Sequence, residues 1–416
     1  MNVIIVGAGI AGLTLALELH DAGIECQVFE AADQIEPIGV GINVLPHATA
    51  VLERHGVLGD LAAAGVTTEE SAFFNRFGQF VHREPAGLTA GFSTPQFSIH
   101  RGDLQSILAA AVRERLGPDG IVLGHRCVGV SLDEDFAVAK FTRGPGPDGD
   151  GLPDQRADLV IACDGIHSAV RRQLHPAEGP PRYSGVMMWR GITTHAPFLN
   201  GASMVRIGWL AHGKMVVYPI RDAVDDRGRQ LVNWVAELEA PQISDRDWNR
   251  EGHLEDFIGP FESWRFDWLD VPGLIRGTES ILEYPMVDQD PLDHWGVGRV
   301  TLLGDAAHPM VPRGSNGAGQ AILDARALRE ALAGATDLPA ALRHYESVRL
   351  PATSRVVLAN RATPPDVLLK EVWERTNDLP FRAIGDVITP DEIRTLGRSY
   401  EQIAGMSRTA VAKSES

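Results

Sequence analysis

Residues 2–30 read NVIIVGAGIAGLTLALELHDAGIECQVFE, and the fold is decided there. Asn2 to Val6 is a short apolar run rich in β-branched residues, too short for a helix, and it predicts a buried strand. Gly7, Gly9 and Gly12 follow with G-x-G-x-x-G spacing. Ile10 to Asp21 then carries helical periodicity, and a second strand, Glu25 to Phe29, ends in Glu30. Each glycine has a task in a dinucleotide corner. Gly7 permits the tight turn, Gly9 lets the backbone approach a pyrophosphate, and Gly12 lets helix and strand pack closely. The helix start offers unpaired N–H groups and a positive dipole end to phosphates. Glu30 suits ribose hydroxyls. A lone glycine pattern is weak evidence; strand, glycines, helix, strand and acid together predict a bound dinucleotide rather than an accidental turn.

The rest of the composition narrows the ligand class. At 416 residues the chain can bury a large core and is long enough for two domains. Its formal charge is −17, without a basic block, so nucleic acid and anionic membrane surfaces are excluded as expected partners and a small molecule is left. Cys26, Cys127 and Cys163 show neither metal spacing nor a disulfide framework, which fits a reducing cytoplasm and no metal site. The apolar N-terminus lacks a basic region and a cleavage site, so it is not read as a signal peptide, and no later stretch is long and apolar enough to span a bilayer.

Further along, 39–44 (GVGINV) is a glycine-rich loop with two readings: a backbone that lies against a flat ligand at Gly41, or a plain turn. Residues 73–84 read as a hairpin. Strands are expected at 122–132, 137–143 and 155–162, with a Gly/Pro/Asp turn at 144–153. Cys163-Asp164-Gly165 then forms a second strand-end corner, whose bland reading is an ordinary turn with Ser168 as helix N-cap. From about 183 to 283 short alternating segments predict a mostly antiparallel sheet. Six of the eight tryptophans lie there (Trp189, Trp209, Trp234, Trp248, Trp264, Trp268), either as core or as the wall of an apolar pocket. Residues 299–303 return to a strand that ends in Gly304-Asp305, followed by a Pro/Gly-rich loop and a helix from 320. The expected architecture is α/β: a Rossmann-like nucleotide domain with a parallel sheet, a mixed or antiparallel substrate sheet, and C-terminal helices. The nucleotide domain is expected at 1–72, 97–178 and 278–350, the sheet domain at 73–96 and 179–277. C-terminal helices interrupted at Pro351 fill 351–408, and 409–416 is a tail.

Three corners in this order resemble the single-component flavoprotein aromatic hydroxylases, the family of para-hydroxybenzoate and salicylate hydroxylases. Gly7-Ala8-Gly9-Ile10-Ala11-Gly12, with Glu30 and its neighbour Ala31, resembles that family's ADP-binding motif. Cys163-Asp164-Gly165 through Arg171 resembles its Asp-Gly motif. Gly304 to Pro309 (GDAAHP), with the following 312–318, resembles its Gly-Asp motif at the ribityl chain and ring of FAD. Within the family, 95–104 (PQFSIHRGDL), 188–191 (MWRG), 231–235 (LVNWV) and 284–295 (YPMVDQDPLDHW) resemble the phenazine-hydroxylating branch. The sequence departs from that branch at Pro312-Arg313-Gly314-Ser315.

The resemblance implies FAD as cofactor, NADH or NADPH as reductant, and hydroxylation of an electron-rich aromatic acid or related heteroaromatic by O2. The oxygen passes through a flavin C4a-hydroperoxide, with or without loss of a carboxyl group. It implies FAD contacts from Asp305, Pro312, Gly317, Ala318, Asp164, Gly165 and Gly41. Arg101 would contact the FAD chain, unless it is a surface ion pair with Asp103, and the backbone of Val128 would meet the adenine. His308 is read as part of the flavin-contact loop rather than as a base. Trp189, Arg190, Tyr218 and Pro312 are the expected substrate contacts, with Arg190 and Tyr218 as catalytic candidates. Plain sheet positions are the alternative for those two. The expected assembly is a monomer or homodimer. Two rival functions stay open on the motifs alone: a flavin oxidase or reductase without oxygen insertion, and a flavin-binding regulator without turnover.

Overall fold

The computed structural model describes residues 1–36, 39–133, 135–144, 146, 149–242 and 250–404. Trp248 and the expected tail at 409–416 lie outside them. The first sheet has five parallel strands in the order Val300–Leu302, Leu159–Ala162, Asn2–Val6, Glu25–Phe29, Ile121–Val122. Its central strands are apolar along nearly their whole length because helices cover both faces. The Ile10–Asp21 helix packs between Arg101–Leu116 and Gly317–Leu332. The fingerprint glycines do what their spacing predicts. Gly7 has φ +100°, and a Cβ there would sit 2.6 Å from the Cys163 carbonyl oxygen. A Cβ on Gly12 would lie 2.0 Å from the Gly7 carbonyl oxygen, so helix and turn can meet only through glycine.

The second sheet has seven strands in the order Leu282–Asp288, Arg182–His195, Gln230–Glu239, Lys214–Arg221, Ser203–Gly208, Glu70–Phe74, Phe80–Pro85. All neighbours are antiparallel except Ser203–Gly208 with Glu70–Phe74. Residues paired directly across strands share a face, so the register sorts side chains into two layers. One face carries Met187, Trp189, Trp234 and Val217, buried against Phe257, Phe261 and Trp264. The other carries Met188, Val216, Tyr218 and Val235, packed with Val311 and with Leu368, Leu369 and Val372 of the C-terminal helix Val367–Thr376.

Two expectations are corrected. Leu282–Asp288 is paired with Arg182–His195, so this strand goes with the second sheet and not with the nucleotide part, where the boundary at 277 had put it. One helix runs unbroken from Leu338 to Ala362 through Pro351. A proline costs one backbone hydrogen bond there, but Pro351 is exposed, and Tyr345, Val356 and Val357 on the opposite side are buried and hold the helix in place. Among the described residues, no helix is long and apolar enough to cross a membrane.

Candidate active site

The nucleotide corner is preorganised by its own backbone. Gly7 N–H donates to the Phe29 carbonyl at 2.7 Å. The Glu30 carboxylate accepts from Ala8 N–H at 2.7 Å and from Ala32 N–H at 2.9 Å, which fixes its orientation beside the half-buried Ala31. A Cβ added to Gly9 meets nothing within 4 Å, so the space above the helix start is open. That helix has no side-chain cap and no acid in its first turn, and its first N–H groups point outward for a phosphate.

The Gly-Asp motif is brought to the same place. A Cβ on Gly304, at φ +65°, would lie 3.0 Å from the Ala11 Cβ, so strand end and fingerprint helix touch. Asp305 is exposed and makes no hydrogen bond or ion pair among the described residues. Its Oδ1 lies 3.9 Å from where a Cβ on Gly317 would be, facing the start of the Gly317–Leu332 helix. That helix also lacks a side-chain cap and first-turn acids, and Gly317 and Ala318 are half-buried at its start. Pro312 is exposed on the connecting loop, which turns through Gly314 (φ +84°) and Ser315 (φ +56°).

The Asp-Gly corner satisfies both of its readings. Ser168 caps its helix through Arg171 N–H at 2.9 Å. Asp164 Oδ2 accepts from Ala169 N–H at 2.9 Å, while its Oδ1 is buried without a partner. Burial pushes this carboxyl up, against the Ser168 hydroxyl and backbone N–H groups that pull it down. Gly165, at φ +72°, stays open. Arg171 ties this corner to the Gly-Asp motif: Nη1 donates to the Ala306 and Ala307 carbonyls at 2.8 and 2.7 Å, and the guanidinium pairs with Glu178 at 2.6 Å.

Arg101 is exposed, its N–H donates to the Val40 carbonyl at 3.0 Å, and its side chain runs past Gly39. It does not pair with Asp103, whose carboxylate is bound by Arg221. Val128 is half-buried on Arg126–Leu132. There the ladder pairs Cys127 with Phe141 and Gly129 with Lys140, which makes Val128 the extra residue of a β-bulge. A bulge residue is left out of the ladder, so the peptide expected to meet the adenine is not spent on the sheet.

His308 is buried and engaged within the protein. Its Nε2 is 2.5 Å from Asp324 Oδ2, and Asp324 is held in turn by Arg349 at 2.7 Å. Burial would raise the Asp324 carboxyl, but the charges and hydrogen bonds of His308 and Arg349 outweigh it and keep it low. His47 was missed by the sequence reading. It is 2% exposed with no partner on either ring nitrogen, and a Cβ on Gly319 would lie 2.4 Å from its Nε2. Burial first, then the Arg349 charge, pushes it down to about 4.

On the sheet side, one peptide gathers the candidates. Arg190 Nη2 and the Tyr218 hydroxyl both donate to the Gly41 carbonyl, at 2.8 and 2.9 Å. Gly41 N–H donates to Asn233 Oδ1 at 2.8 Å. Register places Arg190, Tyr218 and Asn233 on the face with Val216 and Val235. Burial raises the Tyr218 phenol, and the neighbouring Arg190 charge partly offsets this. Asn233 was also missed; alternation along 231–235 carries the signal, since it lies two residues from Val235. Trp189 is corrected. It stacks on Phe257 at 4.9 Å and 12°, donates to Glu283 Oε2 at 3.1 Å, and sits on the opposite face from Arg190. Consecutive strand residues point to opposite faces, so Trp189, Trp234 and Trp264 back the sheet and do not wall a pocket.

The FAD binding domain family matches residues 1–250 and 281–360. A phenazine 1,6-dicarboxylic acid hydroxylase from Lysobacter antibioticus is 43% identical over 373 residues, 86% of this chain and 89% of the relative. A 3-amino-4-hydroxybenzoate 2-monooxygenase from Streptomyces cremeus is 34% identical over 395 residues, 93% of each chain. A Klebsiella pneumoniae protein solved with FAD and uric acid shares the fold: TM-score 0.74 at 24% identity, covering 99% of this chain and 97% of that one. The open space over Gly9, the partnerless Asp305 and the orphaned Asp164 oxygen fit a flavin dinucleotide. With a family match over most of its length and a relative at 43% identity, the chain belongs to the FAD binding domain family, as an FAD-dependent aromatic monooxygenase reduced by NADH or NADPH.

Proposed function

We propose that the substrate is an electron-rich, planar aromatic carboxylic acid that lies on the front face of the seven-stranded sheet. One observation carries this reading. Across four adjacent strands the register lines up Arg206, Val216, Val235 and Arg190 on that face. An apolar floor with a guanidinium at either end suits a flat ring that bears negative charge. The two relatives named for their substrates support the class, since both names are those of aromatic acids or their anions.

FAD, once bound and reduced by the nicotinamide, would supply electrophilic oxygen from O2 for the ring. The protein's own residues bind, orient and exclude water. Glu30, the fingerprint N–H groups and Asp305 hold the dinucleotide. The uncapped start of Gly317–Leu332 offers N–H groups and a positive dipole end that would favour a negatively charged reduced ring. Arg190 and Tyr218 hold the Gly41 peptide, which sets the loop 39–44 against the sheet.

The test is product analysis by mass spectrometry under 18O2 with a panel of aromatic acids, together with NADH consumption. Oxygen from O2 appearing in a hydroxylated acid is the expected result. NADH consumption that yields only hydrogen peroxide across the panel overturns the reading in favour of an oxidase.

A further inference from the structure

The floor assigned to the substrate is already covered in the protein. Val216 and Val235 are each 9% exposed, and Tyr218 beside them is 4% exposed. They share one apolar cluster with Val311 and with Leu368, Leu369 and Val372 of the helix Val367–Thr376. A ring can lie on that floor only after part of the cover has moved. The two ends of the helix are held in different ways, and this sets which end can move.

The far end is tied down. Arg76 Nε donates to both Asp378 carboxylate oxygens at 2.8 Å, and His212 Nδ1 is 3.1 Å from the same carboxylate. The Gln79 side chain donates to the Phe381 carbonyl at 2.7 Å and accepts from the Phe381 N–H at 3.1 Å. Towards the near end, the preceding helix Leu338–Ala362 is fixed by Arg361, which donates to Asp288 at 2.8 and 3.0 Å and to Asp290 at 2.6 Å. Thr363, Pro364 and Pro365 then break the helical run. Asp366 follows, and its carboxylate pairs with Lys214 on the substrate face.

Two features make that pair a releasable catch. Lys214 Nζ is also 2.8 Å from Glu237 Oε2, so releasing Asp366 leaves the buried ammonium with a partner. The penalty of a lone buried charge is thereby avoided. Asp366 is also the N-cap of Val367–Thr376, yet its side chain makes no capping bond and its Oδ1 has no partner. Aspartate is a favoured cap, so a freed carboxylate can turn to the first N–H groups of its own helix. One carboxylate thus has two places, one with the helix down and one with it raised.

We propose that Val367–Thr376 is a roof over the substrate face that lifts at its Asp366 end to admit the ring and closes over it, with Lys214–Asp366 as the catch and the Asp378 end as the pivot. The proposal rests on the aromatic-acid reading given above. Closed, the roof lays Leu368, Leu369 and Val372 over the ring and keeps water out.

The experiment mixes the flavin-loaded protein with phenazine 1,6-dicarboxylic acid, salicylate or 3-amino-4-hydroxybenzoate and follows flavin absorbance by stopped flow. Where opening limits entry, the observed rate reaches a plateau common to all acids that bind. Asp366→Asn is expected to raise that plateau about tenfold, the loss of one charge-assisted bond, with FAD content unchanged. Hydrogen exchange read by mass spectrometry should quicken at 367–376 in this variant, and in the parent should slow there when an acid is bound. The parent's exchange decides the matter even if the variant fails to fold. Rates that rise linearly with acid concentration, a plateau unmoved in Asp366→Asn, or exchange at 367–376 that is the same with and without bound acid overturns the roof while the aromatic-acid reading stands. If no acid moves the parent's flavin spectrum, the aromatic-acid reading falls and the roof with it.

Discussion

Asp305 and Tyr218 differ in what their side chains touch, and their substitutions should therefore fail differently. Asp305 is exposed and partnerless, so Asp305→Ala should leave the apoprotein's thermal transition where it was. It should weaken FAD by about 1.5–3 kcal/mol, roughly one to two decades, read as the flavin-to-protein absorbance ratio after gel filtration. A fully flavinylated variant would remove Asp305 from the site. Tyr218 is buried and bonded to Gly41, with Arg190 on the same oxygen. Tyr218→Phe should cost about 0.5–1.5 kcal/mol of stability and raise the share of NADH oxidation released as hydrogen peroxide. A peroxide assay beside NADH consumption checks it; unchanged coupling would make the hydroxyl purely structural. His47 gives a pH signature. Its ring is pushed down to about 4 in the fold, against an ordinary value of 6.5. Protons then bind the unfolded chain more readily, so stability falls as pH drops from 6.5 to 4 and is restored as pH rises. The span corresponds to about 3 kcal/mol at ~1.4 kcal/mol per pH unit. Urea unfolding across that window should show a slope in the parent that is shallower in His47→Asn.

Elements were legible wherever one short segment carried the whole constraint. The fingerprint glycines are the clearest case, and they predict opposite failures three residues apart. Gly9 has open space at its Cβ position and an ordinary φ of −74°. Gly9→Ala should therefore fold normally and lose FAD. Gly12→Ala would press a methyl to 2.0 Å from a backbone oxygen. It should destabilise the apoprotein itself by about 1–3 kcal/mol or more, as overpacking does. Apoprotein melting compared with flavin retention separates the two, and identical behaviour would contradict the packing described for them. What was not legible depended on pairing between distant segments. Whether Trp189 or Arg190 faces the site is set by register against Gln230–Glu239, which no local pattern reveals. The same holds for Leu282–Asp288, whose sheet partner lies about a hundred residues earlier. Pro351 misled for a related reason: a local breaker is overridden by tertiary packing along the helix that contains it. Arg171 could be quoted as a motif end, but its reach to Ala306 and Ala307 appears only once both corners fold together.

At the scale of the molecule, the two sheets are woven from interleaved segments. Glu70–Phe74 and Phe80–Pro85 leave the nucleotide part to join the second sheet, and Gly41 is bonded to side chains of that sheet. Unfolding should therefore be one cooperative event. Tryptophan fluorescence, which reports mainly the back face of the sheet, should change at the same temperature at which flavin is released. Free FAD at about a hundred times its Kd should shift both transitions upward together, by about 2.7 kcal/mol of added stability. Two separated transitions would show that the parts fold independently.

The single peptide at Gly41 also constrains how this protein can drift. A Cβ there would lie 2.7 Å from the Asn233 Cβ, and its two backbone groups are claimed by Asn233, Arg190 and Tyr218. A change at Gly41 leaves a side chain without room and a change at Asn233 leaves the Gly41 N–H unanswered, while Arg190 and Tyr218 back each other on the carbonyl. The four positions link the loop before the second sheet to three of its strands. Descendants of this chain should keep Gly41 and Asn233 or exchange them together, and keep at least one of the two donors to the Gly41 carbonyl.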